Sequence, residues 1–135
     1  MKKVELAYIA GIFDGEGSIG IRKQKGRYYQ LAIALGMTNE YIPNLLMFSF
    51  GGTVYKDIRP DPCQVFWVWH IASRKANVFL EAILPYLKLK RNEAELAIKF
   101  QRAFCYNYTG GKLSDEQLAV REAQRILMSE MKIKK

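Results

Sequence analysis

From Leu6 to Phe13 the chain carries no proline and no charged side chain, and Asp14-Gly15-Glu16-Gly17 follows at once. Leu6, Ile9, Ala10 and Phe13 recur at helical spacing and form one bulky apolar stripe. Ala7, Gly11 and Asp14, at i, i+4 and i+7, form a second stripe of small residues. Such a helix can pack on its own domain and also lie close against another helix. Gly11 in mid-helix costs about 1 kcal/mol relative to alanine, and close helix approach is a reason for it. Gly15 and Gly17 are expected to stop the helix and allow a sharp turn. Glu16 then stands between them, at the end of a rigid element.

The chain has 135 residues, half of them hydrophobic, which suits a single domain over 1–135 with a substantial core. No apolar run reaches the roughly 18 residues needed to cross a membrane. The first residues become acidic too early, and their apolar run is too short, for a signal peptide. Cys63 and Cys105 lie far apart without metal-type spacing, so two reduced thiols in an intracellular compartment are expected. That compartment is expected to be cytoplasmic (bacterial or phage) or organellar, which the sequence does not distinguish. His70 is the sole histidine, which excludes a Ser-His-Asp triad or a multi-histidine zinc site.

A net charge of +8 favours a polyanionic partner. The charge is clustered: Arg22, Lys23, Lys25 and Arg27 have no acid among them, and Lys88-Leu89-Lys90-Arg91 is a second group. The tail Lys132–Lys135 is a third group, expected to be frayed and solvated.

After the opening stretch, Ser18 to Gln24 alternates as a strand, with Ile19 and Ile21 on one face and Gly20, Arg22 and Gln24 on the other. Lys25-Gly26-Arg27 reads as a hairpin turn. Tyr28 to Met37 returns, with Leu31, Ile33 and Leu35 inward and Gln30, Ala32, Ala34 and Gly36 outward. An outer face of Gly and Ala beside Arg and Gln suits close approach to another molecule. A two-stranded ribbon fits the DNA major groove, where Arg reads guanine and Gln reads adenine.

Thr38 or Asn39 is expected to cap a helix over Glu40–Phe50, with Pro43 in its first turn and Leu45, Leu46, Phe48 and Phe50 inward. Thr53–Ile58 and Cys63–Ile71 read as two further strands around a turn at Arg59–Pro62. Trp67 and Trp69 share one face and Phe66, Val68 and His70 the other. Pattern alone leaves open which of the two meets the core. Ser73 is expected to cap a helix to Leu84, ended by Pro85. A helix over about Asn92–Cys105, a loop over Tyr106–Lys112 and a last helix to about Met131 complete the order. The last helix opens with the capping box Ser114-Asp115-Glu116-Gln117.

Ile9-Ala10-Gly11-Ile12-Phe13-Asp14-Gly15-Glu16-Gly17 resembles the motif of the LAGLIDADG homing endonucleases, position by position. Leu84-Pro85-Tyr86-Leu87-Lys88-Leu89-Lys90 is similar to that family's second recurrent segment. The resemblance covers most of the chain. It implies an α+β class and an αββαββα LAGLIDADG endonuclease fold. A four-stranded antiparallel saddle-shaped sheet would be backed by helices, with additional C-terminal helices. One motif copy implies a homodimer whose motif helices pair through Ala7, Ala10, Gly11 and Asp14.

The same resemblance implies Mg2+-dependent hydrolysis of double-stranded DNA at a long, near-palindromic site, leaving short 3′ overhangs. Glu16 matches the metal-binding acid and Gly15 the position whose carbonyl joins the metal. The implied cofactor is Mg2+, two or three per dimer, with Mn2+ as a permitted substitute and no small-molecule cofactor. Lys90 matches the basic residue near the site, with Lys88 and Arg91 as rivals. Asn39 matches a polar position that orders water. Pro43 departs from a position that is basic in some members.

Arg22, Gln24, Arg27, Tyr28, Gln30, Lys56 and Arg59 are the candidates for DNA contact. Tyr28 fits a core-edge aromatic equally well, and Lys56 and Arg59 fit ordinary surface charges. Two functions follow: a homing endonuclease, or a non-cleaving relative such as an RNA maturase or transcriptional regulator. Glu16, Gly15 and Lys90 together favour the first, because a carboxylate facing phosphates repels nucleic acid unless metal is present.

Overall fold

The computed structural model describes residues 1–24, 28–60, 63–107 and 114–133. Helix α1 (Lys3–Glu16) leads into strands β1 (Gly17–Lys23) and β2 (Tyr29–Met37), then helix α2 (Tyr41–Phe50). Strands β3 (Thr53–Pro60) and β4 (Cys63–Ala72) follow, then helix α3 (Ser73–Ile83) and a 3-10 turn (Leu84–Tyr86). Helices α4 (Arg91–Asn107) and α5 (Asp115–Ile133) close the order. The strands form one antiparallel sheet in the order β1-β2-β4-β3. The αββαββα order with further helices and the α+β class are as the sequence implied.

Alternation sets which face of the sheet is buried. Ile19, Ile21, Leu31, Ile33, Leu35, Trp69 and Ile71 point to the helices and are buried with Ile9, Phe13, Leu46, Phe79, Leu80 and Ile83. The Phe79 ring meets Phe13, Phe50 and Trp69 edge-on, at centroid distances of 5.4, 5.0 and 4.9 Å. This settles the tryptophan strand. Trp69 is fully buried and donates its indole N–H to the Gly51 carbonyl at 2.8 Å, so the Trp67/Trp69 face is the core face.

Several expectations change in detail. Helix α1 does not stop at Gly15; it runs unbroken to Glu16 and passes straight into β1. In α2 the inward stripe is Ile42, Leu46 and Phe50, one turn apart, and Phe48 lies about 200° around the helix from Leu46. Phe48 is accordingly 84% exposed rather than part of the core. Asn39 does serve the start of α2, its side-chain oxygen accepting from the Tyr41 N–H at 2.8 Å. Ser73 sits at φ 56° and makes no capping bond to α3. The hairpin turn at 25–27, the turn residues Asp61 and Pro62 and most of the Tyr106–Lys112 loop lie outside the described residues.

The capping box of α5 is formed: Gln117 N–H donates to Ser114 Oγ and Ser114 N–H to Gln117 Oε1, at 3.1 and 2.8 Å. Helix α5 packs against α4 and β1, an edge strand. Its Glu122 accepts from the Tyr29 hydroxyl and from Arg125, and Met128 is buried. Lys132 therefore belongs to a docked helix and is not part of a solvated tail.

Candidate functional site

Two stretches far apart in sequence meet at the C-terminal end of α1. The Asp14 carboxylate accepts the N–H groups of Lys88, Leu89 and Lys90 at 2.9, 3.2 and 3.0 Å. The Lys90 Nζ donates back to the Asp14 carbonyl at 2.8 Å. A lysine suits that place, because the last carbonyls of a helix lack intrahelical donors and carry partial negative charge. Asp14 thus fixes the segment before α4 against the end of α1, and with it the Lys90 ammonium. Asp14 directs its carboxylate into its own chain.

Glu16 is the last residue of α1 and is exposed, and no hydrogen bond or ion pair among the described residues engages it. The Gly15 carbonyl belongs to the same open last turn. Gly17 is held by sterics rather than by backbone angle. Its φ is −84°, open to any residue, but a Cβ there would lie 2.2 Å from the Phe13 ring. The glycine lets the strand leave the helix directly over a buried phenylalanine. Glu16, Gly15 and Lys90 are brought to one end of one helix. Asn39 is exposed at the start of α2, its oxygen committed to the cap, and no hydrogen bond among the described residues joins it to Glu16 or Lys90. Pro43 is buried in the first turn of α2.

The sheet face away from the helices carries Ser18, Gly20 and Arg22 on β1, paired with Ala34, Ala32 and Gln30 on β2. His70, Val68, Phe66 and Gln64 on β4 continue it, opposite Thr53, Tyr55, Asp57 and Arg59 on β3. Gln24 donates to Gln30 Oε1 at 3.2 Å, which joins two of the candidate contacts. Arg59 lies over the Phe66 ring at 4.3 Å on this same face. Tyr28 is 45% exposed, where the Gln24 N–H donates to its carbonyl.

Lys56 is a correction. It pairs with Trp67, lies over that ring at 4.9 Å, and so stands on the opposite face from Arg22, Gln30 and Arg59. Arg27 lies outside the described residues.

A second face is formed by α1 itself. Val4, Ala7, Tyr8, Gly11 and Gly15 are exposed, and nothing lies within 4 Å of a Cβ placed on Gly11 or Gly15. Ala10 does not share this face. It is fully buried in its own core, one position around from Gly11, and is removed from the expected dimer contacts.

Two residues were missed in the sequence. His70 lies on the outer face with a buried Nε2 that has no hydrogen-bond partner among the described residues. Burial, reinforced by the positive charge of Arg22, lowers its pKa. Lys132 lies beside Ser18, Nζ to Oγ 3.5 Å, in a recess of about 190 Å³ lined also by Gly17, Lys90 and Glu93. The available signal was helical spacing: Arg121, Arg125, Met128 and Lys132 fall at i, i+4, i+7 and i+11, one face of α5.

No trio of Asp, Glu, His or Cys able to enclose a metal occurs among the described residues. The donors at the end of α1 are one carboxylate and one main-chain carbonyl, both oxygen. That set suits Mg2+, which is commonly held by one or two carboxylates while phosphate and water complete its shell.

No protein-family model matches the sequence, and neither does a curated protein sequence. Solved structures do match. The homing endonuclease I-CvuI, in complex with the I-CreI target, is 21% identical, with 96% of this chain and 82% of that chain covered and a TM-score of 0.76. The archaeal intron-encoded homing endonuclease I-Vdi141I, complexed with DNA, is 13% identical, with 97% and 86% covered and a TM-score of 0.79. The LAGLIDADG homing endonuclease I-GzeII, in complex with its DNA target, is 16% identical, with 91% of this chain and 43% of that chain covered and a TM-score of 0.69. The structural neighbours of this chain are thus LAGLIDADG homing endonucleases, and theirs is the fold it has.

Proposed function

We propose that the chain is one half of a site-specific, Mg2+-dependent endonuclease that hydrolyses double-stranded DNA as a homodimer. The observation that carries this reading is the end of α1, where the exposed Glu16 and a Lys90 whose position is fixed by Asp14 share one helix end. A solvent-facing acid at a rigid helix end has no packing role. Beside a basic residue and a sheet face bearing Arg22, Gln24 and Gln30, it suits phosphodiester chemistry. The solved neighbours support DNA as the partner, since I-CvuI, I-Vdi141I and I-GzeII are complexes with DNA. I-CvuI was solved with Mg2+ in one case and Ca2+ in another.

In this reading Glu16 and the Gly15 carbonyl would hold the metal, with DNA phosphate and water completing its shell. Bound there, Mg2+ would polarise the phosphate and acidify a water. The chain's own residues do the remainder. The Lys90 ammonium offsets charge that builds on the phosphate oxygens. Arg22, Gln24, Gln30 and Arg59 bind the duplex from the outer sheet face, and phosphate contacts set its register. Water adds to phosphorus as it gives up a proton to solvent, and the bond to the departing sugar oxygen breaks as that oxygen takes up a proton from solvent.

A single chain supplies one Glu16, and two strands must be cut. Two copies paired along Val4, Ala7, Tyr8, Gly11 and Gly15 would place two such ends side by side. The target is then near-palindromic and the cuts are staggered, leaving short 3′ overhangs, and two or three metal ions serve the dimer, with Mn2+ able to substitute. The fraction of I-GzeII covered, 43%, is in keeping with one copy being about half of a working unit.

The test is incubation with a randomised duplex library in Mg2+ or EDTA, with Glu16→Gln in parallel and the ends sequenced. Two-fold-symmetric cut sites found only with Mg2+, and absent in the variant, support the reading. Tight binding of a symmetric site without cutting, equal in both proteins, would instead identify a non-cleaving nucleic-acid-binding protein.

A further inference from the structure

We infer that Lys132, near the end of α5, is a phosphate-contacting residue that joins the recess at the end of α1 to the outer face of the sheet. The inference rests on the reading above, and names a residue that the opening motif and its second segment do not contain.

Two recesses meet at this residue. One, lined by Gly17, Ser18, Lys90, Glu93 and Lys132, opens at the end of α1. The other, about 290 Å³, runs along the outer sheet face past Ser18, Gly20, Arg22, Ala32 and Ala34 to Lys132. Ser18 and Lys132 are common to both. A polyanionic backbone passing from the sheet face to Lys90 must pass them.

Position and anchoring favour a recruited charge. The Lys132 Nζ is 3.5 Å from Ser18 Oγ and 3.5 Å from where a Gly20 Cβ would stand, so the ammonium lies over the strand itself. Glycine and alanine keep the sheet surface low around it. Met128, one turn earlier, is buried, and Glu122, itself held by Arg125 within α5, ties the helix to Tyr29 of β2. The helix end is therefore held, and less side-chain freedom is lost when a phosphate is bound. Charge agrees: Lys90 and Lys132 outnumber Glu93, which is 2% exposed, within the smaller recess. A solvent lysine at a helix terminus would need none of these features.

The test is the salt dependence of binding to a short duplex of arbitrary sequence, in Ca2+, for wild type, Lys132→Gln, Lys132→Arg and Lys99→Gln. Lys99 is exposed on α4 and lines a separate cleft with Glu95 and Arg102, so its loss changes net charge equally. Each lost phosphate contact lowers the slope of log K against log salt by about 0.9. The expected result is that loss, per bound chain, for Lys132→Gln, with the slope kept by Lys132→Arg and Lys99→Gln. Equal slopes for Lys132→Gln and wild type overturn this inference while leaving the nuclease reading intact. An equal drop for Lys99→Gln also overturns it, since net charge would then suffice. Failure of wild type to bind duplex at all overturns both. Lys132 is exposed, and an unchanged thermal melt confirms that the variants are folded.

Discussion

Asp14 and Lys90 hold each other through both main chain and side chain. The carboxylate of one takes the N–H of the other, and the ammonium returns to the first residue's carbonyl. Two further amides, of Lys88 and Leu89, share that carboxylate. Hydrogen bonds to a charged group contribute about 1.5–3 kcal/mol each when their loss is uncompensated, but water reaches this half-exposed site. Asp14→Ala is therefore expected to lower unfolding free energy by about 2 kcal/mol, and Asp14→Asn by less, because it keeps one acceptor oxygen. Lys90→Met removes one bond to an end-of-helix carbonyl and should cost about 1 kcal/mol. Urea denaturation of the three variants checks the order, and a midpoint for Asp14→Ala equal to wild type would refute it.

Gly17 and Phe13 give a prediction of a different kind. A methyl group on Gly17 would overlap a ring that is fully buried among Phe79 and its neighbours and cannot swing away. Overpacking of this sort costs about 1–3 kcal/mol. Gly17→Ala is expected to fall in that range with Phe13 present and to cost less in a Phe13→Leu background. A double-mutant cycle in chemical denaturation reads the coupling. Additive effects would mean that the ring is not the obstacle.

Much of this was legible in the sequence, and the exceptions share a cause. Strand faces followed from period-two alternation, and the inward set Ile19, Ile21, Leu31, Ile33 and Leu35 is buried as expected. The capping box at Ser114 is local chemistry and formed as expected. The bond from Asp14 to Lys88–Lys90 joins stretches more than seventy residues apart; charge clustering marked Lys88–Arg91, but only the family resemblance set Lys90 near the opening helix. The face of Lys56 depends on the pairing of β3 with β4, which alternation within β3 alone does not give. Thr53 and Tyr55 define the outer face, so Lys56 falls opposite. Ala10 belongs to the apolar stripe of α1 and is fully buried there, so it cannot also serve as the dimer contact that the resemblance implied. Lys132 was set aside because terminal lysines usually carry no structural signal, and only the docking of α5 on β1 gives it a place.

That docking is expected to respond to acid. The carboxyl of Glu122 is held down at about 2, first by the Arg125 guanidinium and then by the Tyr29 hydroxyl that donates to it. A depressed carboxyl stabilises the folded form fully above the ordinary value of 4.5 and loses that contribution as pH falls through about 2. The side chain is about 32% exposed, so water and salt reach the pair and the effect is small. Amide exchange of α5 should accelerate between pH 4.5 and 2 more in wild type than in Glu122→Gln, which has no charge to lose. Identical acid profiles for the two proteins would show that the network does not hold the helix.

Gly11 offers the most direct test of assembly. Within one chain it is an exposed mid-helix glycine with nothing within 4 Å of an added Cβ. On the folded protomer alone, Gly11→Ala should therefore stabilise by about 1 kcal/mol through helix propensity. A second copy of α1 packed on this face reverses the expectation. Backbones meeting at a small residue leave no room for a side chain, and Gly11→Leu would part the helices while each chain keeps its core. Sedimentation velocity is expected to show a wild-type dimer and a Gly11→Leu monomer, with matching far-ultraviolet circular dichroism. The monomer, with one Glu16, is then expected to nick single strands at most. A Gly11→Leu protein that remains a dimer would move the interface elsewhere, for instance to the exposed Tyr41 and Phe48 of α2, and would detach the role of Gly11 from catalysis.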